Sequence, residues 1–67
     1  MGITVKQARI GANLTMEEIA KKLEIHAQTY SALEKNPEKM TIEKAKEFAE
    51  IVNVPFDEII FLSSNSN

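Results

Sequence analysis

Four small or polar side chains recur at helical spacing and could contact the edges of nucleic-acid bases. They lie at positions i, i+3, i+4 and i+7, as Gln28, Ser31, Ala32 and Lys35. The Gln28 amide can form a bidentate pair with adenine, the Ser31 hydroxyl can bond to several bases, and the Ala32 methyl can touch a thymine methyl. Any exposed helix face is also polar and small, so the pattern fits a solvated face as well as one that reads bases.

A second group of residues could bind phosphate groups. Lys35, Asn36 and Lys39 lie at or just after the end of that face, and Thr15 and Thr41 each precede an apolar helical repeat. Cations, hydroxyls and the amides at a helix start are common phosphate ligands. Both threonines are also typical helix caps, which is a compatible role, and the lysines are equally typical of a solvated surface.

The elements that must position these residues are predicted to be helices, because apolar residues recur with a period near 3.6 and no strand alternation stands out. The predicted helices cover residues 4–10, about 15–23, about 26–35, 42–52 and 56–62. Thr15 and Glu18 form a capping box, and Gly11 is expected to end the first helix. The stripe of the fourth helix is expected to bury Ile42 with the apolar residues that follow it.

The second and third helices meet across a turn of three residues, which is the layout of a helix-turn-helix. The predicted fold is therefore all-α, a compact five-helix bundle over residues 1–62. Residues 63–67, which contain only serine and asparagine, are expected to form a disordered tail.

The sequence resembles the phage Cro and repressor family, also called the Xre family, over essentially the whole chain apart from the tail. The resemblance rests on residues 14–23 (LTMEEIAKKL), Ile25, Tyr30-Ser31, Leu33-Glu34, residues 41–45 (TIEKA) and residues 53–59 (NVPFDEI). It implies a lambda-repressor-like DNA-binding domain that reads duplex DNA with its third helix in the major groove. The implied function is that of a sequence-specific transcriptional regulator, either Cro-like or repressor-like.

The resemblance also assigns roles to individual residues. The base-reading positions of the family fall on Ala27, Gln28, Ser31 and Ala32. An arginine late in the first helix of the family pairs with a glutamate late in the third, which implies a partly buried ion pair between Arg9 and Glu34.

Two positions depart from the family pattern. Met16 stands where a glutamine usually helps to hold a phosphate, and Glu24 stands where glycine is usual in the turn. If Glu24 has a positive φ, its side chain costs about 1 kcal/mol. With the bare methyl of Ala27, these departures predict modest affinity or a narrow, methyl-rich target.

Size and composition exclude several classes of protein. The chain has 67 residues, no cysteine and one histidine. Such a core is too small to enclose a pocket of roughly 300 Å³. Because the sequence also lacks a nucleophile with a base, a phosphate loop and a metal cluster, we expect no enzyme, cofactor, metal or small-molecule ligand. No apolar run approaches the ~20 residues of a membrane span, so a cytoplasmic protein is expected.

The net charge of −2 is unusual for a nucleic-acid binder. Residues 1–40 hold six basic and five acidic residues, and residues 41–67 hold two basic and five acidic ones. A protein-binding helix-turn-helix module, such as an antitoxin or an anti-repressor, therefore stays open as the alternative function.

The C-terminal segment holds more apolar residues than one short helix buries. We expect the surplus, at Phe56, Ile60, Phe61 and Leu62, to form the interface of a homodimer. A two-fold dimer would place two reading helices about 34 Å apart, one turn of DNA, and so match a palindromic operator. The other reading is that these residues only seal the core.

Overall fold

A computed structural model of the chain describes residues 2–62. Residues 63–67, the predicted tail, lie outside the described residues, so that prediction and the domain boundary at residue 62 remain untested. In chain order, the elements are β1 (Ile3–Thr4), α1 (Val5–Gly11), α2 (Met16–Leu23), α3 (Ala27–Lys35), a 3-10 helix (Pro37–Lys39), α4 (Ile42–Val52), a second 3-10 helix (Phe56–Glu58) and β2 (Ile59–Ile60). The predicted helical fold is confirmed, with four α-helices instead of five.

Threonine side chains start three of the four α-helices. Thr15 Oγ1 accepts from the Glu18 amide at 3.1 Å, and Glu18 Oε1 accepts from the Thr15 amide at 2.9 Å, which is the predicted capping box. Thr4 starts α1 in the same reciprocal way with Gln7. Because the caps lie outside the helices, α2 and α3 begin one residue later than predicted, at Met16 and Ala27.

Left-handed residues shape the chain after three of the helices. Asn13, Glu24 and Asn53 have φ values of 61°, 62° and 61°. Asparagine tolerates this conformation, whereas glutamate disfavours it. Glu24 therefore carries the conformational cost of about 1 kcal/mol expected for a positive φ at this position. α1 ends at Gly11, as predicted, and Asn13 is the first left-handed residue after it.

The core lies where the four α-helices meet. Its fully buried large side chains include Tyr30 and Phe48, whose rings stack with centroids 6.3 Å apart. The buried apolar residues are Val5, Ala8, Ile19, Ala20, Leu23, Tyr30, Met40, Ala45, Phe48, Ala49, Val52 and Ile59. The expected burial of Ile42 is wrong: it is 65% exposed, because the first residue of α4 extends past the edge of the packed core.

The predicted fifth helix over residues 56–62 is also wrong. After Pro55 the chain makes one 3-10 turn and then extends, and β2 pairs in parallel with β1, Ile3 opposite Ile59 and Thr4 opposite Ile60. Ile59 is buried in the core from this strand. Two consecutive β-branched residues favour extended backbone, and the partner strand is supplied from the other end of the described chain.

Gly2 lies close to this strand pair. A Cβ added to Gly2 would come within 2.8 Å of the Glu58 carbonyl oxygen and 2.8 Å of Ile60 Cγ1, so the backbone would have to move. We expect Gly2→Ala to lower the free energy of unfolding by about 1–3 kcal/mol, as overpacking does. Urea unfolding followed by circular dichroism measures this change.

Gly11→Ala is the matched control, because a Cβ at Gly11 meets nothing within 4 Å and its φ is not positive. It is expected to stabilise the protein by about 0.4–1 kcal/mol, since alanine restricts the unfolded chain. Equal effects of the two substitutions would contradict the close approach at Gly2.

Candidate nucleic-acid interface

One side of α3 packs into the core and the other side is open. Tyr30 is fully buried, whereas Gln28 and Ala32 are exposed, and Ala27 and Ser31 are half-buried at the margin between the two sides. Of the four predicted base-reading residues, Gln28 and Ala32 therefore lie on the open side, Ser31 is partly accessible, and Ala27 packs partly against the core. Their side chains are small, so a partner surface could approach the helix backbone closely.

An ion pair holds α3 against α1. Arg9 Nε donates to Glu34 Oε2 at 2.6 Å, and Arg9 Nη1 donates to the Leu14 carbonyl oxygen at 2.9 Å. The paired side chains are 11% and 5% exposed, so the two residues that the resemblance pairs do form a largely buried ion pair. The hydrogen bond that Arg9 donates to the Glu34 carboxylate raises the pKa of Arg9, so the guanidinium stays charged. Glu34 is thereby kept out of the open side of α3.

The Tyr30 hydroxyl is buried beside this ion pair. No acceptor or donor among the described residues meets hydrogen-bond geometry with it. Burial raises the pKa of the Tyr30 phenol above its ordinary value of 10.0, and the nearby Glu34 carboxylate raises it further. Tyr30 is therefore uncharged, and its ring packs in the core against Phe48.

A lysine from α4 binds the C-terminal end of α2, where the turn to α3 begins. Lys44 Nζ donates to the Leu23 carbonyl oxygen at 2.7 Å and to Glu47 Oε1 at 3.3 Å. A cation at the C-terminus of a helix is favoured by the helix dipole. Sequence reasoning missed this contact, because Lys44 and Leu23 are 21 positions apart and meet only in the folded chain.

Met16 and Glu24, which depart from the family pattern, have clear local roles. Met16 is half-buried, and its side chain packs against the core of the domain. Glu24 ends α2 in the left-handed conformation, and the next amide, that of Ile25, bonds back to the Ala20 carbonyl oxygen at 3.0 Å. The Glu24 side chain is exposed.

The candidate phosphate ligands are all exposed: Thr15, Lys35, Asn36, Lys39 and Thr41. The two threonine hydroxyls accept the cap hydrogen bonds of α2 and α4 and still have a proton to donate. The side-chain amide of Asn36 donates to the Ala32 carbonyl oxygen at 3.3 Å, so one hydrogen-bond donor of this side chain is already used at the end of α3.

His26, the N-cap of α3, makes no side-chain cap hydrogen bond. The first-turn amides of α3 therefore lack the side-chain acceptor that threonine gives to the other three helices. Helix N-terminal amides favour anions.

The C-terminal apolar residues differ in how far they are exposed. Phe56 stacks on Phe61 with ring centroids 5.3 Å apart, and Phe61 is half-buried against the core. Phe56, Ile60 and Leu62 are 37%, 39% and 73% exposed. Ile59 and Phe61 therefore pack inward, whereas Phe56, Ile60 and Leu62 remain accessible, so the predicted homodimer interface stays a prediction.

A model of the helix-turn-helix family matches residues 5–59, from the first residue of α1 to the first residue of β2. The chain belongs to this family. The match is of the Cro and repressor (Xre) type that the sequence resembles, so the protein is a DNA-binding helix-turn-helix regulator. Comparison with the curated proteins and with the solved structures gave no match.

Two further observations concern the described residues of this helix-turn-helix protein. Within residues 2–62, no helix has the length and apolar character needed to cross a bilayer. The same residues contain no group of three histidine, aspartate or glutamate side chains placed to bind a metal ion.

The ion pair gives a stability prediction. Glu34→Gln leaves the buried Arg9 guanidinium without its counter-charge, so we expect the free energy of unfolding to fall by about 3 kcal/mol. Tyr30→Phe removes only a hydroxyl that has no hydrogen-bond partner in the described structure, so its effect is expected to stay within about 1 kcal/mol. Urea unfolding of the two variants measures both effects, and equal losses would show that the ion pair has no special role.

Proposed function

We propose that the protein is a sequence-specific transcriptional regulator that binds a palindromic operator as a homodimer, with α3 in the major groove. The observation that carries this proposal is the open side of α3, where small and polar residues are accessible along one face. Each base pair presents a distinct pattern of donors and acceptors in the major groove, so a helix with such a face can distinguish sequences.

The base contacts are assigned to Ala27, Gln28, Ser31 and Ala32. Gln28 is the strongest candidate, because its exposed amide can donate to N7 and accept from N6 of one adenine. Ser31, at the half-buried margin, has a hydroxyl that can bond to more than one base. Ala27 and Ala32 offer methyl groups only.

The phosphate contacts are assigned to Thr15, Lys35, Asn36, Lys39 and Thr41. Thr15 and Thr41 combine a hydroxyl with the amide end of a helix, which favours an anion. Lys35 and Lys39 add positive charge on either side of the loop that follows α3. These contacts would fix the register of α3 on the duplex and would not read its sequence.

The homodimer is assigned to Phe56, Ile60 and Leu62, which are exposed, and to Phe61, which is half-buried and stacks on Phe56. A domain of this size buries only about 60% of its unfolded surface, so association through these residues would add stability. A two-fold axis there would give half-sites about 34 Å apart.

The first experiment is selection of bound duplexes from a random DNA pool at low salt. An enriched palindrome with half-sites one turn apart supports the proposal. No enrichment by folded protein contradicts it and favours the protein-binding module, for which the net charge of −2 is the supporting observation.

Gln28→Ala tests base reading directly. On the selected duplex we expect a loss of about 1–3 kcal/mol in binding free energy and a relaxed preference at one base pair of each half-site. Lys46→Ala changes an exposed residue of α4 and is the control whose base preference should stay unchanged. Fluorescence anisotropy with single-base variants of the duplex measures both effects, and an unchanged preference in Gln28→Ala would exclude this role.

Leu62→Ser tests the interface. Because Leu62 is 73% exposed in the monomer, the variant should fold normally but dimerise more weakly and bind the palindrome with lower affinity. Ile10→Ser, which replaces an apolar residue of α1 that is 54% exposed, is the matched control. Sedimentation equilibrium distinguishes them, and equal dimerisation of both variants would place the interface elsewhere.

A further inference from the structure

Thr29 is an exposed residue of α3 that sequence reasoning did not include among the base-reading residues. It follows Gln28 directly and precedes Ala32 by three positions. Residues at i and i+3 of a helix are surface neighbours, with Cβ atoms about 5–6 Å apart. Thr29 and Ala32 are therefore neighbours on the helix surface, and Ala32 is also a neighbour of Gln28, four positions before it.

The same helix offers no cation for guanine except at its end. Arginine or lysine is the usual partner of the guanine O6 and N7 atoms. The sequence contains one arginine, Arg9, and its guanidinium is held inside the domain by Glu34 and the Leu14 carbonyl oxygen. The one lysine of α3 is Lys35, its last residue.

The charged groups of α3 are thus removed from its first two turns. Glu34, the one acidic residue of α3, is engaged with Arg9 and is only 5% exposed. The N-terminal residues of a recognition helix are those that contact base edges. The exposed residues of these turns are Gln28, Thr29 and Ala32, which offer one amide, one hydroxyl and two methyl groups, and Ser31 adds a hydroxyl at the half-buried margin.

We propose that Thr29 and Ala32 form a methyl pair that selects thymine, beside an adenine read by Gln28, so that the target is an A·T-rich half-site whose thymine methyl groups are required for affinity. This inference rests on the proposed function, because it needs α3 to lie in the major groove. Threonine and alanine methyls are suitable partners for the C5-methyl of thymine, which is the group that distinguishes thymine from uracil.

The first test compares two random duplex pools that differ only in the C5-methyl. One pool is synthesised with thymidine and the other with deoxyuridine in its place. Selection by the full chain from the thymidine pool should enrich half-sites with an A·T core. Replacement of thymine by uracil in the enriched duplex should then weaken binding about fourfold for each contacted methyl. This factor corresponds to ~0.8 kcal/mol per buried methylene-sized group.

The second test separates the methyl of Thr29 from its hydroxyl. Thr29→Ser keeps the hydroxyl and removes the methyl, and Thr29→Val keeps a methyl in place and removes the hydroxyl. At one thymine of each half-site, Thr29→Ser should lose the fourfold discrimination against uracil, whereas Thr29→Val should retain it. Because Thr29 is exposed, both variants are expected to fold, and circular dichroism checks this.

The remaining outcomes overturn the inference in distinguishable ways. A G·C core in the enriched site, or equal binding of thymine and uracil duplexes, rejects the methyl pair and leaves the proposed function intact. Loss of affinity in Thr29→Val with full discrimination in Thr29→Ser assigns the hydroxyl to a phosphate instead. Failure of the chain to bind any duplex rejects both the inference and the proposed function.

Discussion

The ion pair between Arg9 and Glu34 is the interaction on which the arrangement of the helices depends. One guanidinium binds a carboxylate of α3 and the carbonyl oxygen of Leu14, two residues before α2 begins. It therefore connects three segments of the chain. Burying these charges is costly unless they are paired and hydrogen-bonded, so alternative placements of α3 that separate them are disfavoured.

The character of the proposed reading surface follows from this constraint. Tyr30, the aromatic residue of α3, is buried in the core, and the carboxylate of Glu34 is paired with Arg9. What is left for the open side is one amide and several small side chains. A surface of this kind has little charge to attract DNA over a distance, and residues 41–67, with two basic and five acidic residues, add no net positive charge. Close fit at short range would have to supply its selectivity.

In the turn between α2 and α3, a residue with a disfavoured backbone conformation lies beside a stabilising contact from α4. Glu24 adopts a left-handed conformation that glutamate disfavours, and Lys44 from α4 binds the last carbonyl oxygen of α2 beside it. The resemblance to the family already placed Glu24 in this turn. Only the folded chain shows that Lys44 links the end of α2 to α4.

The sequence by itself determined the four α-helices, because their signals are local: threonine caps, apolar positions at helical spacing, and prolines that stop helices. It also indicated the Arg9–Glu34 pair, through the resemblance to the family. Tertiary structure alone decided the end of the chain. Residues 56–62 contain a helical apolar pattern, but Ile59 and Ile60 extend because a partner strand, Ile3–Thr4, arrives from the opposite end of the described chain. Pairing of this kind depends on where the two ends of the fold meet, and no local spacing of residues encodes that distance. The Lys44 contact and the exposure of Thr29 and Ile42 were decided in the same way, by which surfaces the packed helices leave uncovered.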